Sequence, residues 1–212
     1  MEKQRARTTR EKEARRTDIL NAAKKLFPLH GFDGTKIHMI TKEAGLSPAA
    51  FYLYFKNKLE IYRTLCLDGT SILKEMILQS LEKDHAAHAK RIEAVAMAYF
   101  SFFNTHRDYY KIISVLHLGQ PEFFNNSDLI LNLENQSVEL LNIFSMVLRQ
   151  GIKDGEFKPV DPWKTAAVLW AMMDGILMME VRKSARYINV DITTLTQTLL
   201  DISMSGLALK HP

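Results

Sequence analysis

The 212-residue chain carries a single cysteine, Cys66, so no disulfide can form within it, and a reducing compartment suits it. Cys66 falls on a helical stripe and reads as a small buried hydrophobe. There is no run of about 18 apolar residues, as a membrane span requires. The closest stretch, 166–179, is interrupted by Asp174 and Gly175. The first sixteen residues, MEKQRARTTREKEARR, contain no apolar segment, which predicts no secretory signal. A cytoplasmic protein with no membrane partner is expected. Alternating strand patterns, internal repeats and low-complexity segments are missing as well, leaving an all-α fold.

Catalytic constellations are equally scarce. His106-Arg107-Asp108 spells the tripeptide of a kinase catalytic loop, but position 113 is Ile where that motif has Asn. No glycine-rich loop or nucleotide-binding lysine precedes it. His85 and His88 are spaced i, i+3 without a third ligand nearby. The chain is expected to be neither an enzyme nor a metal or cofactor protein.

What the chain has is an uneven charge. Its net charge is +4, from 28 Lys plus Arg and 24 Asp plus Glu. Residues 1–62 hold 13 basic and 7 acidic side chains, and residues 63–212 hold 15 and 17, so +6 and −2 make up the total. A polyanionic partner would bind the basic part, because neutralising phosphates drives non-specific affinity for nucleic acid.

That part contains GFDGTKIHMITKEAGLSPAAFYLYFKNK, residues 31–58. Ile37, Ile40 and Ala44 share one helical face, and Gly45 breaks the pattern, as a left-handed residue closing a helix would. Ser47 is placed as an N-cap and Pro48 at the first helical position. Phe51 and Phe55 point back with Leu46, leaving Ala49, Ala50, Tyr52, Leu53 and Tyr54 on or near the outside. These are two short helices joined by a tight turn, a helix-turn-helix. A helix over 17–29 precedes it, ended by Gly31, with Pro28 expected to disturb the last turn and Thr35 to cap the next helix. Residues 1–16 hold little to fold around and are expected to be a disordered basic arm, either contacting DNA or merely solvated.

Ile19-Leu20-x-Ala22-Ala23-x-x-Leu26-Phe27, Gly31-Phe32-x-x-Thr35-x-Ile37-x-x-Ile40, Ala44-Gly45-Leu46-Ser47 and Phe51-Tyr52-x-Tyr54-Phe55-Lys56-Asn57-Lys58 together resemble the N-terminal domain of TetR-family transcriptional regulators. The resemblance covers residues 17–62. The sequence departs from the family pattern at Pro28, Lys36, Thr41 and Ala49. Double-stranded operator DNA is the implied partner. Phosphates would be held by Thr35 and Lys36 at the start of one helix and by Tyr52, Tyr54 and Lys58. Ser47, Pro48, Ala49, Ala50 and Leu53 complete the DNA-facing set. The alanines are too small for a hydrogen-bond code but able to meet a thymine methyl, and Leu53 is either a contact or a packing residue.

Residues 63–212 read as a helical ligand-binding and dimerisation domain. Helices are expected from Leu59 to 83–88, over 90–106, and in an apolar segment 109–118. Others follow from the loop at 125–127 to Lys153, from Asp161-Pro162 onward and over 191–210. Aromatic and methionine density marks Tyr99, Phe102, Phe103, Tyr110, His117, Phe144, Trp170 and Met173 as candidate pocket residues. The resemblance implies an unidentified apolar or aromatic small molecule as ligand. AAVLWAMM, 166–173, is apolar all round its helix, so one side is expected against a partner subunit of a homodimer. Trp163, Ala167, Ala171, Asp174, Leu195, Leu199 and Ile202 are the candidate interface, with Asp174 open to a pocket role. A ligand-responsive regulator is expected, a repressor before an activator, and the alternative is a helical hydrophobic-ligand carrier or enzyme.

Overall fold

The computed structural model of the chain describes residues 2–82, 87–114 and 127–209. Among these, ten helices run in the order α1 Glu2–Gly34, α2 Ile37–Glu43, α3 Pro48–Phe51, α4 Lys58–Glu82, α5 His88–Thr105, α6 Arg107–Ser114, α7 Ser127–Lys153, α8 Pro162–Val181, α9 Ala185–Ile188 and α10 Ile192–Leu207. No strand is formed by the described residues beyond an isolated bridge between Phe157 and Ala208. The all-α expectation holds.

The helices gather into two compact units, Met1–Thr70 with His106–Leu131, and Ser71–Thr105 with Asn132–Pro212. This differs from a division after residue 62, because α6 packs with α1 and meets the first part of α4 at Tyr62 and Gly69. The Tyr62 hydroxyl donates to the Ile112 carbonyl at 2.6 Å in the first unit's interior. Gly69 leaves room for α6, since a Cβ there would lie 2.7 Å from Ile113 Cδ1 and 3.0 Å from Tyr109 Cδ1. Burial raises the Asp68 carboxyl above its ordinary range, against the pull of Arg16 and Lys24. Lys24 in turn sits 4.7 Å from the centre of the Tyr109 ring.

The first unit's core is built on Ile19, Ala23 and Phe27 of α1 with Phe32 and Tyr62, all buried. Phe27 stacks with Phe32 at 5.9 Å, and both meet the Tyr62 ring edge-on. The residues expected to form a disordered arm continue α1 back to Glu2 instead. Their Glu, Lys, Gln and Arg are good helix formers, and extending an existing helix avoids the cost of nucleation. The helix runs through Pro28, and its break falls at Gly31, with φ 69°. Thr35 does not cap α2. Its hydroxyl donates to the Gly31 carbonyl at 2.7 Å, and Lys36 takes the N-cap position with no side-chain bond. Lys58 completes this corner, its ammonium donating to the carbonyls of Phe32 and, at 3.0 Å, of Thr35.

In the second unit, α8 and α10 pack on each other, and α5 packs on α8. The expected N-cap at Asp161 is present, accepting from Trp163 N at 3.0 Å and Lys164 N at 3.1 Å. Asp191 does the same for α10 through Thr194 N at 3.0 Å. The Lys164 amide first, and the Thr194 hydroxyl first, hold the two carboxyls below the usual range. The Glu156 carboxylate accepts from His88 N and Ala89 N, both at 2.7 Å, at the start of α5. Gly151 lets the α7 end close over the buried Phe157 ring, which a Cβ would meet at 2.4 Å. In the first unit, burial pushes the Cys66 thiol up to about 12, which suits an inert core residue.

Two substitutions follow. Gly151→Ala should destabilise by about 1–2 kcal/mol despite alanine's better helix propensity, because overpacking outweighs it. Gly206→Ala, which would meet no atom within 4 Å, should be neutral or stabilising. Thermal melts of the pair check this, and equal shifts would contradict it. Lys58→Met should lower stability by about 1–3 kcal/mol, read as a melting-temperature drop of several degrees, by leaving two carbonyls without their charged donor.

Candidate DNA-reading surface and ligand cavity

The helix-turn-helix is assembled by backbone chemistry. Ala44 ends α2, Gly45 takes φ +67°, and the amides of Gly45 and Leu46 return to the carbonyls of Lys42 and Thr41 at 3.2 and 2.8 Å. That pair of bonds is the Schellman stop. Ser47 Oγ then accepts from Ala50 N at 3.2 Å, and Pro48 opens α3. Phe51 and Phe55 are buried, their rings 6.2 Å apart, which fixes the roll of α3 against the rest of the unit.

The outward face is the expected one in part. Ser47, Pro48 and Ala49 are exposed, and Ala50 is half-buried. Tyr52 is 62% exposed and Leu53 70%, with Tyr54 half-buried beside them. Lys36 is exposed at the start of α2. Two residues are corrected. Thr35 is fully buried with its hydroxyl spent on Gly31, so its side chain cannot meet a phosphate. Lys58 is turned inward onto two carbonyls and lies 4.1 Å from the centre of the Phe32 ring. The Lys58 arrangement is not local in sequence, since it bonds across 26 residues to Phe32, whereas the Thr35 hydroxyl turns back only four residues to Gly31. Leu53 and Tyr54 also share a shallow groove with Glu11, Lys12 and Arg15 of α1, which treating the arm as disordered had missed.

The second unit holds a partly open cavity of about 50 Å³. Of the expected pocket residues it is lined by Tyr99, Phe144, Trp170 and Met173. Phe102 and Phe103 are buried elsewhere in the same unit's core, Tyr110 is buried in the first unit, and His117 lies outside the described residues. The rest of the wall is aliphatic, from Leu73 and Ile77 of α4, Ile92 and Val95 of α5, Leu140 of α7, and Leu169, Leu199 and Leu200, with Ser203 alone adding a hydroxyl. Aromatic density was the wrong signal for these. Their helical stripes were legible, but not which stripes converge.

Among the expected interface residues, Ala167 and Ala171 are exposed on α8, with Trp163 at 39% and, on α10, Ile202 at 63%. Val168 and Met172 extend that exposed apolar stripe. Leu195 is half-buried. Leu199 is buried on the cavity wall instead. Asp174 accepts from the Tyr99 hydroxyl at 2.8 Å, which places it on the cavity side of α8. No helix among the described residues is long and apolar enough to cross a membrane.

Comparison with known proteins agrees with this geometry. A family model described as bacterial regulatory proteins, tetR family, matches residues 19–65. An uncharacterized HTH-type transcriptional regulator of Bacillus subtilis, YfiR, is 30% identical over 177 residues, covering 80% of this chain and 82% of its own. The solved transcriptional regulator FadR from Bacillus subtilis, in complex with stearoyl-CoA, superposes with a TM-score of 0.73 at 23% identity, over 90% of this chain and 98% of that one. A transcriptional regulator from Saccharomonospora viridis, solved in complex with choline, gives a TM-score of 0.78 at 22% identity, over 93% and 99%. On the family match and the relative that spans most of both chains, this chain belongs to the tetR family of bacterial transcriptional regulators.

Proposed function

We propose that the protein is a cytoplasmic repressor that binds a near-palindromic operator as a homodimer and is released when an apolar small molecule enters the second unit's cavity. The observation that carries this reading is the division of α4. Its first half puts Ile61, Tyr62, Leu65 and Cys66 into the core that holds the recognition turn, and its second half puts Leu73 and Ile77 on the cavity wall. A cavity of about 50 Å³ is small for any effector larger than a few atoms. A ligand that needs the wall to move binds one arrangement of α4 better than another, and only such differential affinity can shift an equilibrium. The stearoyl chain of the ligand in the Bacillus subtilis structure is in keeping with an apolar effector.

On the DNA, Tyr52 and Tyr54 would donate to phosphates with Lys36, while Ala49, Ala50 and Leu53 approach the base edges around the Ser47-Pro48 start of α3. Thr35 and Lys58 act behind that surface by fixing its angle. The exposed stripe of Trp163, Ala167, Ala171 and Ile202 would meet a second copy, giving half-sites about 34 Å apart or a multiple of it.

Selection of bound sequences from random duplexes, followed by anisotropy titrations at several salt concentrations, tests the reading. A near-palindrome should emerge, with affinity falling steeply as salt rises. Tyr52→Phe should weaken all sequences alike by about tenfold, the loss of one hydrogen bond to a charged acceptor. No selected site and no salt dependence would favour a ligand carrier instead.

A further inference from the structure

From the geometry around Tyr99 we infer that the ligand of this cavity is a lipophilic cation, an ammonium group carrying apolar substituents. The inference rests on the cavity being the effector site and adds the chemical class of its occupant. Tyr99 and Trp170, on α5 and α8, face the cavity with ring centres 5.9 Å apart and planes inclined at 56°. Two tilted aromatic faces form part of a cage, and aromatic faces attract cations through their quadrupole, tryptophan most strongly. Behind Tyr99 stands Asp174, one turn along α8 from Trp170, accepting the phenol hydrogen at 2.8 Å. Donating to a carboxylate enriches the phenol ring in electron density and keeps a negative group next to the wall. Phe144 and the polarizable sulfur of Met173 extend the same lining.

The wall offers an anion nothing comparable. Among the described residues that line the cavity there is no Lys, Arg or His, and the one hydroxyl not already placed on Asp174 is that of Ser203. An anionic head group would lose its water without gaining a charged donor. A neutral chain would gain apolar contact alone. Cation above neutral above anion is therefore the expected order.

The test uses three probes with the same twelve-carbon chain, dodecyltrimethylammonium, dodecanol and dodecanoate, each kept below its micelle concentration. Each is titrated into the full-length protein while the fluorescence of its two tryptophans is followed. The cation should bind about tenfold more tightly than the alcohol, and dodecanoate should bind most weakly. Asp174→Asn, which keeps an acceptor for Tyr99, should cut the cation's advantage to about threefold or less while leaving dodecanol within about twofold. Dodecanoate binding as tightly as the cation, or an undiminished advantage in Asp174→Asn, would overturn the assignment while leaving an apolar cavity intact. Failure of all three to bind would overturn the cavity as a ligand site and this assignment with it. Should the variant not fold, the ranking on the unmodified protein decides alone.

Discussion

The apolar surface of α4 is divided between two cores, and the residues before and after Thr70 on that helix answer to different neighbours. Upstream, Tyr62 is held by the edge of two phenylalanine rings and by its bond to the Ile112 carbonyl. Downstream, Leu73 and Ile77 are buried and line the second unit's cavity. Gly69 lies close to the junction, its missing side chain filled by Tyr109 and Ile113 of α6. The first unit therefore packs closely against α4 at this point.

The recognition turn depends on the same economy of small local devices. Gly45, Ser47 and Pro48 each satisfy or remove a backbone group that would otherwise be orphaned, and so define where α2 stops and α3 starts. Their signals are local, so the turn was legible from the sequence. The N-cap at Asp161 was legible for the same reason. Lys58 was not, because it depends on a carbonyl 26 residues away in sequence, and Thr35 was not, because its hydroxyl turns back to the Gly31 carbonyl freed by the break in α1 instead of forward to α2. A threonine and a lysine beside a helix-turn-helix look like phosphate grips until the corner they close is seen. The N-terminal arm misled in another way. Lack of apolar residues argues against an independent core, but a segment joined to a formed helix needs only helix propensity to continue it.

The cavity was legible as a property of the second unit and illegible in its details. Periodicity found the apolar stripes of α4, α5, α7, α8 and α10 but carries no information on how those stripes converge. The count of aromatic residues therefore pointed to Phe102, Phe103 and Tyr110, which are ordinary core, and passed over the leucines and isoleucines that form half of the wall. Asp174 shows the limit most clearly. A lone acid in an apolar helix announces that it has a partner, and the partner proved to be Tyr99, 75 residues earlier on α5.

Whether occupancy of the cavity is felt at the recognition turn is the central claim, and thermodynamic linkage gives its most direct measurement. The dissociation constant of a cavity ligand should be determined with the protein free and with the protein saturated by its selected operator. Coupling requires the ligand to bind the operator complex more weakly, by the same factor by which the ligand weakens operator binding, and a factor of about ten or more is expected. Equal ligand affinity in both states, with tryptophan fluorescence reporting a filled cavity, would contradict the account.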